Sequence, residues 1–181
     1  AYVNADILLT PGLLKSVHML AEQATHFLMV GRRWDLDVNQ YLDFSGQWQA
    51  RLENMVQKDA RLHPKGGSDY FVYPRACFQS IPDMAIGRAG WDNWMIYEAR
   101  RQKWVVVDAT PTYQVIHQQH DYSHLPDGKP HYRLPESATN VEQAGGRHAI
   151  YTLADANRIL VNGKLEHQPF SIQHLLREIE I

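Results

Sequence analysis

Asn4 and Asp6 stand two apart in Tyr2 to Leu9, a segment whose aliphatic, aromatic and β-branched residues read as a strand. On a strand, residues two apart leave the same face, so a polar pair projects from an otherwise apolar segment. An unpaired carboxylate is costly to bury. Asp6 therefore either lies at the strand's C-terminal end, in a crevice with a cation or hydrogen-bond donors, or caps the turn before a helix opening at Thr10-Pro11-Gly12.

The 10 His are unevenly spread, and His117, His120, Asp121 and His124 follow directly on a predicted strand. Imidazole and carboxylate together suit a divalent cation such as Mn²⁺ or Zn²⁺. The spacing is not that of a helical H-E-x-x-H site, and one Cys, Cys77, excludes a thiolate-rich zinc centre. His117, beside the strand end, is the expected ligand; His124 and His131 are expected on the surface of a polar loop.

Gly87-Arg88-Ala89-Gly90-Trp91-Asp92-Asn93-Trp94 places an indole beside a carboxylate at a helix start. The helix dipole favours an anion there, which suits a carboxylate that takes a proton from a hydroxyl. The alternative is a helix-terminus charge between two core indoles; the reading divides them, Trp94 to the core and Trp91 to a site. Gly66-Gly67-Ser68-Asp69-Tyr70 brings another carboxylate to the start of a strand, able to line the same cleft. Arg32, Arg33, Trp34, Asp35 and Asp37 form a charged patch after a strand, either a ligand contact at a strand end or a solvated loop with internal ion pairs.

The elements that must position these residues are legible from periodicity. Thr10 is the expected cap of an amphipathic helix from about 11 to 25, followed by an apolar strand at 27–30. A helix follows from Ser45 to about 59, then a strand at 69–73, a helix from Trp91 to about Gln102, and strands at 104–107 and 113–116. Residues 118–150, rich in His, Pro and Gly, read as a long loop with a short helix near 138–144; a turn at Asn162-Gly163 and a final helix at 172–179 close the chain. Strand, helix, strand order points to an α/β fold in one domain over residues 1–181. The composition, 44% hydrophobic and 21% charged, is globular, and a net charge of -2 without a basic block argues against a nucleic-acid partner. No apolar run approaches a membrane span, and one Cys fits a reducing, cytoplasmic setting.

Tyr-Val-Asn-Ala-Asp-Ile at 2–7, Phe-Leu-Met-Val-Gly-Arg-Arg-Trp-Asp-Leu-Asp at 27–37, Gly-Ser-Asp-Tyr-Phe-Val-Tyr-Pro-Arg at 67–75, Ala-Ile-Gly-Arg-Ala-Gly-Trp-Asp-Asn-Trp at 85–94 and Ile-His-Gln-Gln-His-Asp-Tyr-Ser-His at 116–124 together resemble GT-A-like glycosyltransferases. The resemblance implies a partial GT-A-like, nucleotide-diphospho-sugar transferase-like mixed sheet flanked by helices. It implies an Asp-x-Asp-like triplet, here Asn4-Ala5-Asp6 with Asp6 in the metal-ligating place, and His117 or His120 as a further ligand of Mn²⁺ or Mg²⁺. Asp92 or Asp69 would be the base, and Trp91, Asn93, Tyr70, Arg32 and Trp34 would contact a nucleotide-sugar donor and a glycan or small-molecule acceptor.

The chain opens at Ala1 without Met, and the nucleotide-binding half of such folds would precede it. The expectation is a metal- and acceptor-side portion, inactive alone, whose exposed edge strand near residue 1 invites a homodimer. Two alternatives belong to other classes. A metal-dependent hydrolase would use Asp6, His117, His120 and Asp121; a carbohydrate-binding domain would stack sugars on Trp34, Trp91 and Tyr122.

Overall fold

A computed structural model describes residues 1–120, 131–169 and 171–181. Asp121, Tyr122 and His124 lie outside them. Among the described residues the fold is mixed α/β, with five α-helices and mixed sheets.

Phe27–Val30 forms β3, and all four of its residues are buried. A strand apolar at every position needs cover on both faces, and the packing supplies it. Leu28 and Val30 meet α3 (Trp91–Arg101), while Phe27 and Met29 pack with Leu13, Val17 and Leu20 of α1 (Gly12–Ala21). β7 (Val105–Asp108) runs parallel to β3 and to β9 (Arg158–Val161), and β10 (Lys164–His167) completes the four-stranded sheet. The β9–β10 turn is Asn162-Gly163, both with positive φ, the pairing that a two-residue hairpin favours.

A second sheet runs β2 (Ile7–Leu9), β8 (Val115–Gln118), β4 (Arg33–Leu36) and β5 (Arg61–Leu62) in that order. On β4 the two-residue alternation sorts side chains by function. Trp34 and Leu36 pack with α2 (Trp48–Asp59), whereas Arg33 and Asp35 line a cleft. β1 (Tyr2–Val3) pairs antiparallel with β6 (Tyr70–Phe71), and a bridge from Met29 to Val72 ties that pair to the first sheet. Beyond the undescribed stretch lie α4 (Pro135–Gln143) and, at the far end, α5 (Ile172–Glu180). Among the described residues no helix is long and apolar enough to cross a membrane.

Three local expectations are corrected. Tyr2 to Leu9 is two strands, because Ala5 and Asp6 form a turn and the Asn4 backbone N–H goes to the Asp69 carbonyl at 2.9 Å. Among the described residues each of these strands is paired on one side only, β1 by β6 and β2 by β8, so both stand at sheet edges as expected near residue 1. Thr10 does not cap α1: its hydroxyl donates to the Gln114 carbonyl at 3.1 Å, a tertiary bond replacing the local one. Residues 33–36, read as a charged patch after a strand, are themselves β4, while the short helix expected near 138–144 is α4.

Gly90 begins α3 at φ 105°, a conformation open to glycine, and a Cβ there would lie 3.0 Å from Asn140 Cβ and 3.3 Å from Val141 N. Gly90→Ala is therefore expected to cost about 2–4 kcal/mol of stability by urea denaturation; a loss under about 0.5 kcal/mol, the range of neutral surface changes, would contradict it.

Candidate functional site

A cleft of about 980 Å³ gathers the polar side chains that the two sheets leave out of their cores. The β1–β2 turn contributes Asn4 and Asp6, β4 contributes Arg33 and Asp35, and the end of β8 contributes His117 and His120 beyond it. Strand register explains the meeting. His117 lies opposite Ile7 on one side and Asp35 on the other, so the turn carrying Asp6 and the carboxylate of Asp35 flank one imidazole.

Asp6, His117 and His120 offer ligand atoms that all lie within 4.8 Å of one another. Asp6 Oδ2 is 3.3 Å from His117 Nε2 and 3.1 Å from His120 Nε2, and Asp6 Oδ1 is buried without a hydrogen-bond partner. His117 Nδ1 is 3.0 Å from Asp35 Oδ1. A carboxylate only accepts, so Nδ1 holds the proton and Nε2 presents its lone pair toward Asp6. Burial, followed by the charge of Arg33, holds the His117 pKa below its ordinary value against the pull of Asp6, Asp69 and Asp35. Two electron-rich atoms then face each other beside an orphaned carboxylate oxygen. A divalent cation satisfies all three, and a carboxylate behind a ligating imidazole is the usual support for one.

Asp35 is the hub of this wall. It accepts from Arg33 Nε at 2.8 Å, is 2.7 Å from His63 Nδ1, and braces His117. Burial opposes its charge, but the hydrogen bonds and charges of Arg33 and His63 outweigh that and hold its pKa below the usual carboxylate range. Arg33 also pairs with Asp69 Oδ2, while Asp69 Oδ1 accepts from Asn4 Nδ2 at 2.8 Å. Asp69 is thus engaged at both oxygens.

Asp92, in the first turn of α3, differs. Its Oδ1 is buried and unpartnered. Burial drives its pKa up to about 6, with the Asp69 charge adding to it and backbone N–H groups at the start of α3 opposing it. A carboxyl poised there is well matched to accepting a proton near neutrality.

No family model matches this chain, and neither a curated protein nor a solved structure matches it significantly.

Of the residues singled out from sequence, the cleft brings together Asp6, His117, His120, Asp69, Asp92 and, at its wall, Trp91 and Asn93. Trp91 is only 7% exposed, with its ring against Tyr2 and Phe71, and the Asn93 amide donates to the Tyr151 carbonyl at 2.7 Å. Three others fall elsewhere, which corrects their assignment to substrate. Tyr70 is wholly buried in the core beneath α1; Trp34 packs against α2; the Arg32 guanidinium donates to the carbonyls of Leu62 and His63. With both indoles packed in this way, stacking of sugars on Trp34 and Trp91 loses its platform.

Sequence reasoning did not single out His63, and it left Arg33 and Asp35 between ligand contact and solvated loop. The Arg33-x-Asp35 alternation on a strand was the available signal. It also passed over Asn140, a wholly buried side chain that accepts from Ala85 N at 2.8 Å and donates to Ala85 O at 2.9 Å. Those bonds fasten the loop that leads into α3.

Proposed function

We propose that this chain is the metal- and acceptor-side portion of a glycosyltransferase, moving a sugar from a nucleotide-sugar donor to an acceptor hydroxyl with Mn²⁺ or Mg²⁺. One observation carries the reading: a three-ligand cation cluster and a separate buried carboxyl with raised proton affinity line the same cleft. A cation bound at Asp6, His117 and His120 would supply charge neutralisation for the departing diphosphate. Asp35 keeps the His117 lone pair turned toward that position. Asp92 takes the proton of the acceptor hydroxyl, whose oxygen bonds to the sugar's anomeric carbon as the bond to the diphosphate oxygen breaks with its electron pair. The Arg33 charge, spent on Asp35 and Asp69, holds the wall together.

Calorimetric titration of inorganic pyrophosphate, the part of a nucleotide sugar that the cation would hold, into the chain, with and without Mn²⁺ and beside Asp6→Ala, tests this. Cation-dependent diphosphate binding that Asp6→Ala removes is the expected result. A second reading, a metal-dependent hydrolase, is favoured by the ligand set itself, two imidazoles and one carboxylate. There Asp92 would take its proton from water. Tight Zn²⁺ binding with no recognition of pyrophosphate would overturn the transferase and leave the hydrolase.

A further inference from the structure

The cleft wall carries four carboxylates, Asp6, Asp35, Asp69 and Asp92, and two guanidinium groups, Arg33 and Arg88. Arg33 is consumed by Asp35 and Asp69. Arg88 is not consumed. Among the described residues no carboxylate lies within ion-pair distance of it, and its hydrogen bond runs from Nη1 to the carbonyl of its own neighbour Gly87 at 3.2 Å. Arg88 is half-exposed and water also solvates it, so no carboxylate is needed to hold its charge; among the described residues it is the cleft's guanidinium with no acid paired to it.

Nor is Arg88 on a loose loop. Its backbone N–H donates to the Ala85 carbonyl at 3.3 Å, and the buried Asn140 amide donates to the Ala89 carbonyl at 3.2 Å besides gripping Ala85 at both N–H and C=O. The loop then enters α3 through Gly90, where a Cβ would strike Asn140. The result is a fixed pedestal that holds a guanidinium four residues before Asp92, the carboxyl read above as the proton acceptor.

We propose that Arg88 is an oxyanion-recognition residue, and that the molecule presenting its hydroxyl to Asp92 carries a carboxylate or phosphate that Arg88 pairs with. An acidic wall would repel such a molecule; one uncommitted, planar, five-donor group offers the bidentate geometry that reverses this. The inference rests on reading Asp92 as the acceptor-side carboxyl, and it adds a substrate class, an anionic acceptor.

The test follows backbone amide shifts of residues 85–93 during titration with glucose, glucuronate and glucose 6-phosphate, and separately with inorganic pyrophosphate plus Mn²⁺, in the wild-type chain, Arg88→Ala and Arg88→Lys. The two anionic sugars should bind more tightly than glucose. Arg88→Ala should erase that preference, weakening both by about 10-fold to 100-fold, and Arg88→Lys should restore part of it; Mn²⁺ binding should not change. Anionic sugars bound equally by wild type and Arg88→Ala would overturn the proposal. Loss confined to pyrophosphate with Mn²⁺ would overturn the acceptor assignment by placing the oxyanion on the leaving group. Failure of the transferase reading shows separately, as Mn²⁺ binding that survives Asp6→Ala.

Discussion

Asp6→Ala should weaken Mn²⁺ binding by at least about 100-fold in isothermal titration calorimetry, a larger effect than loss of a supporting residue, which costs about 10-fold to 100-fold. Among the described residues Asp6 supplies the one carboxylate of the cluster, and its two oxygens do different things: Oδ2 stands between the imidazoles, and Oδ1 is buried without a partner. Because Oδ1 gives nothing up, the variant should fold normally. A cation at 100 times its Kd stabilises the native state by about 2.7 kcal/mol, so wild type should show a Mn²⁺-dependent rise in Tm that Asp6→Ala lacks. Asp35→Asn keeps every ligand but loses the brace on His117, and should fall between the two. Undiminished Mn²⁺ affinity in Asp6→Ala would remove the cation site from consideration.

Asp92→Asn should make the chain more stable at pH 8. The Asp92 pKa is raised from 3.8 to about 6 in the folded chain, so the folded state binds this proton more tightly than the unfolded one. Its favourable contribution is complete below about pH 4 and disappears as pH rises through about 6. Above that, holding the charged carboxylate costs up to about 3 kcal/mol, because each tenfold change in proton affinity is worth about 1.36 kcal/mol. An amide of the same shape does not titrate. Urea denaturation should therefore find Asp92→Asn ahead of wild type by about 1–3 kcal/mol at pH 8, with the gap closing as pH falls toward 4. A gap independent of pH would show that Asp92 is not held at a raised pKa. A residue whose removal stabilises the fold is kept for what it does rather than for what it packs against.

The parts of the fold legible in sequence are those in which one period governs a whole element. Phe27–Val30 is read as a strand because it is a short, wholly apolar run, and the helix from Trp91 because Trp94, Met95 and Glu98 lie one turn apart. Where tertiary bonds outbid local ones, the reading fails. Asn4 is captured by Asp69, which helps turn the expected single strand into two, and Thr10 reaches Gln114 instead of capping α1. The site was legible in its chemistry but not in its wiring. Asp6, His117 and Asp92 can be chosen by residue type and position, whereas the role of Asp35 depends on β4 lying parallel to β8 with Asp35 opposite His117, a register that no local pattern encodes. Tyr70 and Trp34 fail for a related reason: an aromatic residue beside a polar one looks like a ligand contact until the strand's alternation turns it inward.

The pairing of the short first strands also dictates when the cleft can exist during synthesis. Asp6 leaves the ribosome 114 residues ahead of its partner His120, and β1 and β2 wait for β6 and β8 respectively. Until then the strands of Tyr2–Leu9 have no partner to pair with. Such distant closures are slow because the chain entropy is lost before the contacts form. The cation cluster thus cannot assemble before β8 joins β2, and occupancy of it would report that the nascent sheet has closed in the right register.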